Sequence, residues 1–467
     1  IYRLSMLDLV EGGSTWDEVV ALARAVEAAG ATMINTGVGW HEARIPTIAT
    51  MVPRGAFTWV TARLRGSVAI PLIATNRIND PAVADTIVGR GDAAMVSMAR
   101  PFLADADFVA KAAQGRAASI NTCIGCNQAC LDHIFEHRVA SCLVNPFACR
   151  ETEMTMTAAT VRKRVAVVGA GPAGLACATT AAARGHDVTL FDAAETIGGQ
   201  FNLARRIPGK EEFAETLRYF DQRLAELGVA RRMGRLATPD DLAGADAVIV
   251  AAGIVPRQPA IDGLDHPSVA RYADIVESRR DAGRDVAIIG AGGIGFDVAE
   301  FLTHAGHDDG HASDGALTDP AISAFRAEGG IDVDYASAGG IKPAVAAAPL
   351  RRVWLLQRKA TKVGDGLAKT TGWIRRTLLR KRGVTMLSGV SYDRIDDAGL
   401  HIRIDGAAQV LAVDTIVICA GQEPRRDLAA ALDERGMRYT LIGGADVAVE
   451  LDARRAIDQG TRVALAL

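Results

Sequence analysis

The 467-residue sequence has no uninterrupted apolar run of about 20 residues, the length a helix needs to cross a bilayer. Its first residues, Ile1-Tyr2-Arg3-Leu4-Ser5, lack the basic-then-apolar order of a secretory signal, and no initiator Met precedes them. Neither sign of charge gathers into long blocks, and the formal net charge is only −3. That removes the electrostatic footprint of a nucleic-acid or anionic-membrane binder. Cysteine is scarce: there are seven, an odd number, with four crowded into one stretch. This pattern excludes a secreted disulfide framework and favours metal binding in a reducing, cytoplasmic setting. Nothing in the composition calls for a macromolecular partner, and a monomer is the expectation.

What is present is an alternation of strands and helices. Tyr2–Met6, Thr32–Thr36, Pro71–Thr75 and Ala93–Met98 read as strands, and Thr15–Ala29 reads as an amphipathic helix stopped by Gly30. Polar residues cluster after each strand, at Gly37–Glu42, Asn76-Arg77 and Ala99-Arg100-Pro101. That layout fits a (β/α)8 barrel, whose chemistry sits at the C-terminal strand ends. Only four units are visible, so residues 1–115 are expected to be the C-terminal half of a barrel, with about four units before Ile1. A small open α/β sheet is the alternative. Residues 116–160 hold the cysteine-rich segment and a polar linker. Residues 161–283 and 284–420 each read as a dinucleotide-binding domain of the Rossmann type. The second carries a Gly/Ala/Asp/His-rich insertion at 304–350, and 421–467 is a return segment of the first.

Cys123-Ile-Gly-Cys126-Asn-Gln-Ala-Cys130, followed by Cys142, gives C-x2-C-x3-C-x11-C. Four thiolates are what a 4Fe–4S cluster requires, and Gly125 lets the loop turn between ligands. Structural zinc is the competing use, although the two separated C-x2-C pairs usual for zinc are missing. Cys149, Cys177 and Cys419 stand outside the spacing.

The strand Arg164–Val168 runs into Gly169-Ala-Gly171-Pro-Ala173-Gly174 and an alanine-rich helix, and the next strand, Asp187–Phe191, ends at Asp192. A lone G-x-G-x-x-G is weak. With the strand before it, the helix after it and the acid at this distance, it is a dinucleotide fingerprint. A second copy, Gly290-Ala-Gly292-Gly-Ile-Gly295, follows the strand around Val286. Its second strand ends in Gln357-Arg358-Lys359 instead of an acid, and two cations attract a 2′-phosphate where a carboxylate repels it. Two such folds in tandem point to FAD in the first and NADPH in the second. The FAD contacts expected are Gly169, Gly171, Ala173, Gly174, Asp192 and Gln200, with Asp446 from Gly443-Gly444-Ala445-Asp446 before the last helix. Those of NADPH are Gly290, Gly292, Gly295, Arg358 and Lys359.

The stretches Thr36–Thr47, Asn121–Cys130 and Gly364-Asp-Gly-Leu-Ala-Lys-Thr-Thr-Gly-Trp373, in this domain order, resemble the bacterial 2,4-dienoyl-CoA reductases. Related 2-enoate reductases and trimethylamine dehydrogenase share the layout. The resemblance implies NADPH, FAD, a 4Fe–4S cluster and FMN acting in sequence on an acyl-CoA substrate in fatty-acid β-oxidation. It also implies roles by position. Cys123, Cys126, Cys130 and Cys142 hold the cluster. Arg3, Arg77, Ala99 and Arg100 bind FMN. His41 is the proton-handling residue, and with Arg44 it meets substrate. The tyrosine that the family pairs with this histidine has no counterpart here, and Tyr2 does not replace it.

Overall fold

The computed structural model describes residues 1–40, 43–304, 320–345, 348–449 and 452–467. The chain forms two compact units. The first takes in Ile1–Ala117, Thr122–Cys126 and the far stretch that includes 320–345, and the second takes in the rest.

In the first unit the strands Tyr2–Leu7, Ile34–Val38, Leu72–Ala74 and Met95–Val96 lie in chain order in one parallel sheet. The helices Trp16–Ala28, Thr58–Leu64 and Pro81–Gly89 alternate with them. The helix Trp16–Ala28 starts where Thr15 and Glu18 cap each other. Glu18 N donates to Thr15 Oγ1 (3.3 Å), while the Glu18 carboxylate accepts from Thr15 N (2.8 Å). It ends before Gly30, whose φ of 91° suits glycine. Val19, Ala23 and Val26 form its buried face at helical spacing. The strands are where the sequence places them, but their ends differ. The second begins at Ile34, and the fourth shrinks to two residues.

The sequence of 304–350 has little periodicity, yet its described part completes this unit's core. Ile322, Ile331 and Tyr335 are buried in one cluster with Leu4, Met6, Val19, Ile34 and Phe57. Phe325 meets Phe57 edge-on at 6.0 Å, and Tyr335 lies 5.5 Å from Trp16. Arg326 donates to Ala56 O (2.8 Å) with its guanidinium over the Trp59 ring. Backbone bonds from Leu9 N to Gly339 O (2.9 Å) and from Gly339 N to Ser14 O (2.8 Å) stitch the stretch to the end of the first strand. Gly339 is required there: its φ is 75°, and a Cβ would stand 1.9 Å from Val10 O.

The second unit contains two five-stranded parallel sheets. One has the order Thr440–Leu441, Ala247–Val250, Arg164–Val168, Asp187–Phe191, Ala230–Arg232. The other has the order Val269–Arg271, Thr415–Ile418, Asp285–Ile289, Arg352–Leu356, Thr385–Leu387. In each sheet the strand that feeds a glycine loop is central, and its apolar residues are buried on both faces, as parallel strands require. The pattern is that of doubly wound nucleotide folds. An antiparallel meander, Ser391–Asp396, Gly399–Ile404 and Ala407–Leu411, lies in the chain between the second sheet's strands Thr385–Leu387 and Thr415–Ile418. Among the described residues no helix is long and apolar enough to cross a membrane.

Candidate functional site

The two glycine loops are built alike. Gly169 and Gly290 have φ of 113° and 112°. A Cβ on either would stand 2.2 Å from a carbonyl at the end of the neighbouring strand, that of Ala251 or Cys419. A Cβ on Gly174 or Gly295 would stand 1.8 or 1.9 Å from the carbonyl of Gly169 or Gly290, so helix and loop touch through backbone alone. Gly171 and Gly292 differ: nothing lies within 4 Å of a Cβ there. They face open space at the start of the helices Pro172–Ala183 and Gly293–Thr303, where amides and the helix dipole favour an anion. The cradles therefore fit the pyrophosphates of two dinucleotides.

Around the first cradle, Asp192 accepts from Ala170 N (2.6 Å) and Ala194 N (2.7 Å), which fixes the acid against the loop. Gln200 is exposed and accepts from the Tyr272 hydroxyl (3.1 Å). Asp446 accepts from Gln459 Nε2 (2.7 Å), whose Oε1 accepts from Gly443 N (2.8 Å), so the return segment is pinned to the last helix. Ala173 is buried where the helices Pro172–Ala183 and Ala453–Leu465 pack closest. A Cβ on Gly460 would stand 2.1 Å from Ala173 O. At the second cradle, Arg358 and Lys359 are both exposed just past the strand Arg352–Leu356. Gln357 Nε2 folds the loop behind them by donating to Lys359 O (3.1 Å) and Thr361 O (2.8 Å).

A charged cluster that the motifs do not announce lies just beyond the second loop. Lys210 Nζ donates to both oxygens of Asp297 (2.7 and 2.6 Å), and Arg375 also bonds Asp297, with Glu300 Oε2 at 3.7 Å. Burial opposes the charge on Asp297, but Lys210 and Arg375 outweigh it and hold the carboxyl below its usual range. Burial pushes Glu300 up. Lys210 and Asp297 are 87 positions apart, so only the fold brings them together.

The four spaced cysteines divide between the units. Cys123 and Cys126 belong to the first, on a loop that turns at Gly125 (φ 65°) and is held by Asn79 Nδ2 donating to Cys123 O (2.7 Å). Cys130 and Cys142 belong to the second, brought alongside by the bond from Ser141 N to Ala129 O (2.7 Å). Asn127, left-handed at φ 62°, turns the chain into the short π-helix Gln128–Asp132. Among the described residues no three or more His, Cys, Asp or Glu side chains are gathered as a metal cage. Cys177 and Cys419 line nucleotide-fold interiors, where burial pushes the Cys177 thiol up to about 12.

In the first unit, Arg77 and Arg100 reach back to one loop. Arg77 Nε donates to Val52 O (2.7 Å) and Arg100 Nη2 to Ile48 O (2.7 Å), while Asn76 Nδ2 donates to Thr47 O (3.2 Å). Asn76 and Arg77 are consecutive residues in the left-handed region (φ 71° and 54°), a costly backbone of the kind kept at functional strand ends. Arg3, Arg44 and Ala99 are exposed. His41 lies outside the described residues.

Residues 163–452 match the family model described as pyridine nucleotide-disulphide oxidoreductase, and residues 1–119 match that of the NADH:flavin oxidoreductase / NADH oxidase family. A metal reductase of Desulforamulus reducens is 31% identical over 451 residues, 95% of this chain and 65% of that protein. A cinnamate reductase of Clostridium sporogenes is 29% identical over 309 residues, 64% of this chain and 45% of that protein. A solved 2-naphthoyl-CoA reductase, in complex with 2-naphthoyl-CoA, shares the fold with a TM-score of 0.85 at 27% identity, over 100% of this chain and 64% of that one. The chain thus spans less than two thirds of the length of each. With a doubled dinucleotide cradle and a family match over more than half its length, preceded by part of a flavin-oxidoreductase barrel, the chain belongs to the pyridine nucleotide-disulphide oxidoreductase family.

Proposed function

We propose that this chain carries the electron-input machinery and part of the substrate barrel of an NADPH-dependent flavoprotein. Its substrate is a C=C bond conjugated to a CoA thioester, as in 2,4-dienoyl-CoA reduction. The observation that carries the reading is the paired cradle, with Asp192 ending the second strand of one copy and Arg358-Lys359 following that of the other. The likeness to a 2-naphthoyl-CoA reductase supports a thioester substrate. The setting is the reducing cytoplasm, and no macromolecular partner is needed.

In this reading Gly169, Gly171 and Gly174 cradle the FAD pyrophosphate, Asp192 accepts from ribose, Gln200 approaches from the stretch after Asp192, and Asp446 from the return segment. Gly290, Gly292 and Gly295 repeat the cradle for NADPH, and Arg358 and Lys359 take its 2′-phosphate. Cys123, Cys126, Cys130 and Cys142 supply the thiolates of a 4Fe–4S cluster. Arg77, the Ala99 backbone and Arg100 grip the FMN phosphate, Arg3 places a cation by its ring, His41 handles the proton and Arg44 meets substrate. When bound, these groups supply a relay from a two-electron donor through a one-electron carrier to a two-electron flavin.

The test is NADPH-driven loss of 2,4-dienoyl-CoA absorbance by anaerobically purified full-length protein. Thioester turnover with about four irons per chain is the expected result. Turnover of a cinnamate-like free enoate without the thioester moves the substrate class to free acids. The 95% coverage of this chain by a metal reductase favours one other reading, an electron-transfer protein for external acceptors. NADPH oxidation with metal or dye acceptors alone would establish it.

A further inference from the structure

The helix Lys369–Lys381 has no cap of its own: its N-cap is Ala368, which offers nothing to the first-turn amides. The missing acceptor comes from elsewhere in the second unit. Asp132 Oδ1 accepts from the Thr370 amide (2.9 Å) and from Thr370 Oγ1 (2.8 Å). Asp132 is 5% exposed and stands two positions after Cys130. Lys369 adds a bond from Nζ to Phe135 O (3.2 Å).

The same short stretch is gripped from the last helix. Arg454 donates to His133 Nε2 (2.6 Å), and His133 Nδ1 faces Val139 O (3.0 Å). A guanidinium only donates and a carbonyl only accepts, so His133 is the neutral tautomer with its proton on Nδ1. Two helices, one from each nucleotide fold, thus converge on the residues directly after Cys130. The capped helix also carries Arg375, which pairs with Asp297 just past the second glycine loop. One rigid element touches the Cys130 turn at its first residues and the nucleotide loop region at its middle.

We propose that Asp132 is a positioning residue: by capping the helix Lys369–Lys381 across the fold, it fixes the turn that carries Cys130 to the NADPH-binding fold, and electron delivery to the group held by Cys130 depends on it. The proposal rests on the relay reading of the cysteines given above. It also assigns a task to Thr370 within Gly364–Trp373, a stretch whose resemblance alone gave it none.

The experiment compares wild type, Asp132→Ala and Asp132→Asn as anaerobically purified full-length protein. An Asn oxygen caps nearly as well as Asp. Four quantities are read: iron content, the stopped-flow rate of FAD bleaching by NADPH, the freeze-quench rate at which the paramagnetic signal of the reduced iron–sulfur group appears, and backbone hydrogen exchange. Asp132→Ala is expected to leave bleaching within about twofold and to slow the paramagnetic signal severalfold, since electron tunnelling weakens steeply with each ångström that a loosened turn adds. Asp132→Asn should restore the rate to within about threefold. Signal growth at the wild-type rate in Asp132→Ala overturns the proposal. So does an Asp132→Asn variant as slow as Asp132→Ala, because the carboxylate charge and not the cap would then matter. Hydrogen exchange at residues 128–135 and 369–373 that is unchanged in Asp132→Ala would also overturn it. Wild-type protein without iron sinks the relay reading itself, a separate and recognisable outcome.

Discussion

Arg358 is exposed just past the strand Arg352–Leu356, where the proposed function assigns it the 2′-phosphate of NADPH. The end of the second strand in a dinucleotide fold lies beside the adenine ribose, so a guanidinium there distinguishes NADPH from NADH by one phosphate. Arg358→Ala should raise the KM for NADPH on the order of ten- to a hundredfold and leave that for NADH within about twofold. Equal losses with both nucleotides in steady-state assays would remove the 2′-phosphate role. The place of Arg358 past the second strand was readable because local sequence spacing carries it. The Lys210–Asp297–Arg375 cluster was not. Its members come from distant positions, none belongs to a motif, and nothing in the periodicity marks a lysine that the fold will bury. Asp132 was hidden for the same reason: helix caps are read from the residue just before the helix, and here the cap comes from 238 positions away.

At the level of elements, the glycine loops allow a test in which folding and binding separate. A Cβ added at Gly171 would meet no protein atom within 4 Å, so Gly171→Ala should fold with a loss of no more than about 1 kcal/mol. The methyl group would instead occupy the path of the pyrophosphate, and FAD retention after gel filtration should fall on the order of tenfold. A Gly171→Ala protein that keeps its full flavin would show that the open side of the loop is not the cofactor side. The strands and loops around these glycines were legible from apolar runs ending in Gly-x-Gly, because buried parallel strands have a simple code. Strand ends were less so, since the last residue of a strand depends on its neighbour's register. The stretch 320–345 was opaque for another reason. Ile322, Phe325, Ile331 and Tyr335 point into one core from a helix, a bridge and a turn in succession, so they share no single period.

For the molecule as a whole, the order of the chain is not the order of the units. The path changes unit after Ala117, after Asn121 and after Cys126, and residues 320–345 return to a core begun by residues 4–72. Ile322 is 2% exposed in that core, so Ile322→Ala should cost the first unit about 2–5 kcal/mol in urea unfolding. A change below about 0.5 kcal/mol would mean that the stretch merely rests on the surface. The spacing of the four cysteines was visible in the sequence, but their division into pairs belonging to different units was not, because unit membership is a long-range property. The interleaving also sets a timetable during synthesis. Residues 117 to 331 separate the end of the first βα run from Ile331. At roughly 5–20 residues per second, that is on the order of 10–45 s in which the nascent βα units emerge with an unfinished core. Over that interval both glycine loops are translated. Until Ile331 emerges, that core is exposed to chaperones and proteases, and the first nucleotide sheet waits longer still, for Thr440–Leu441.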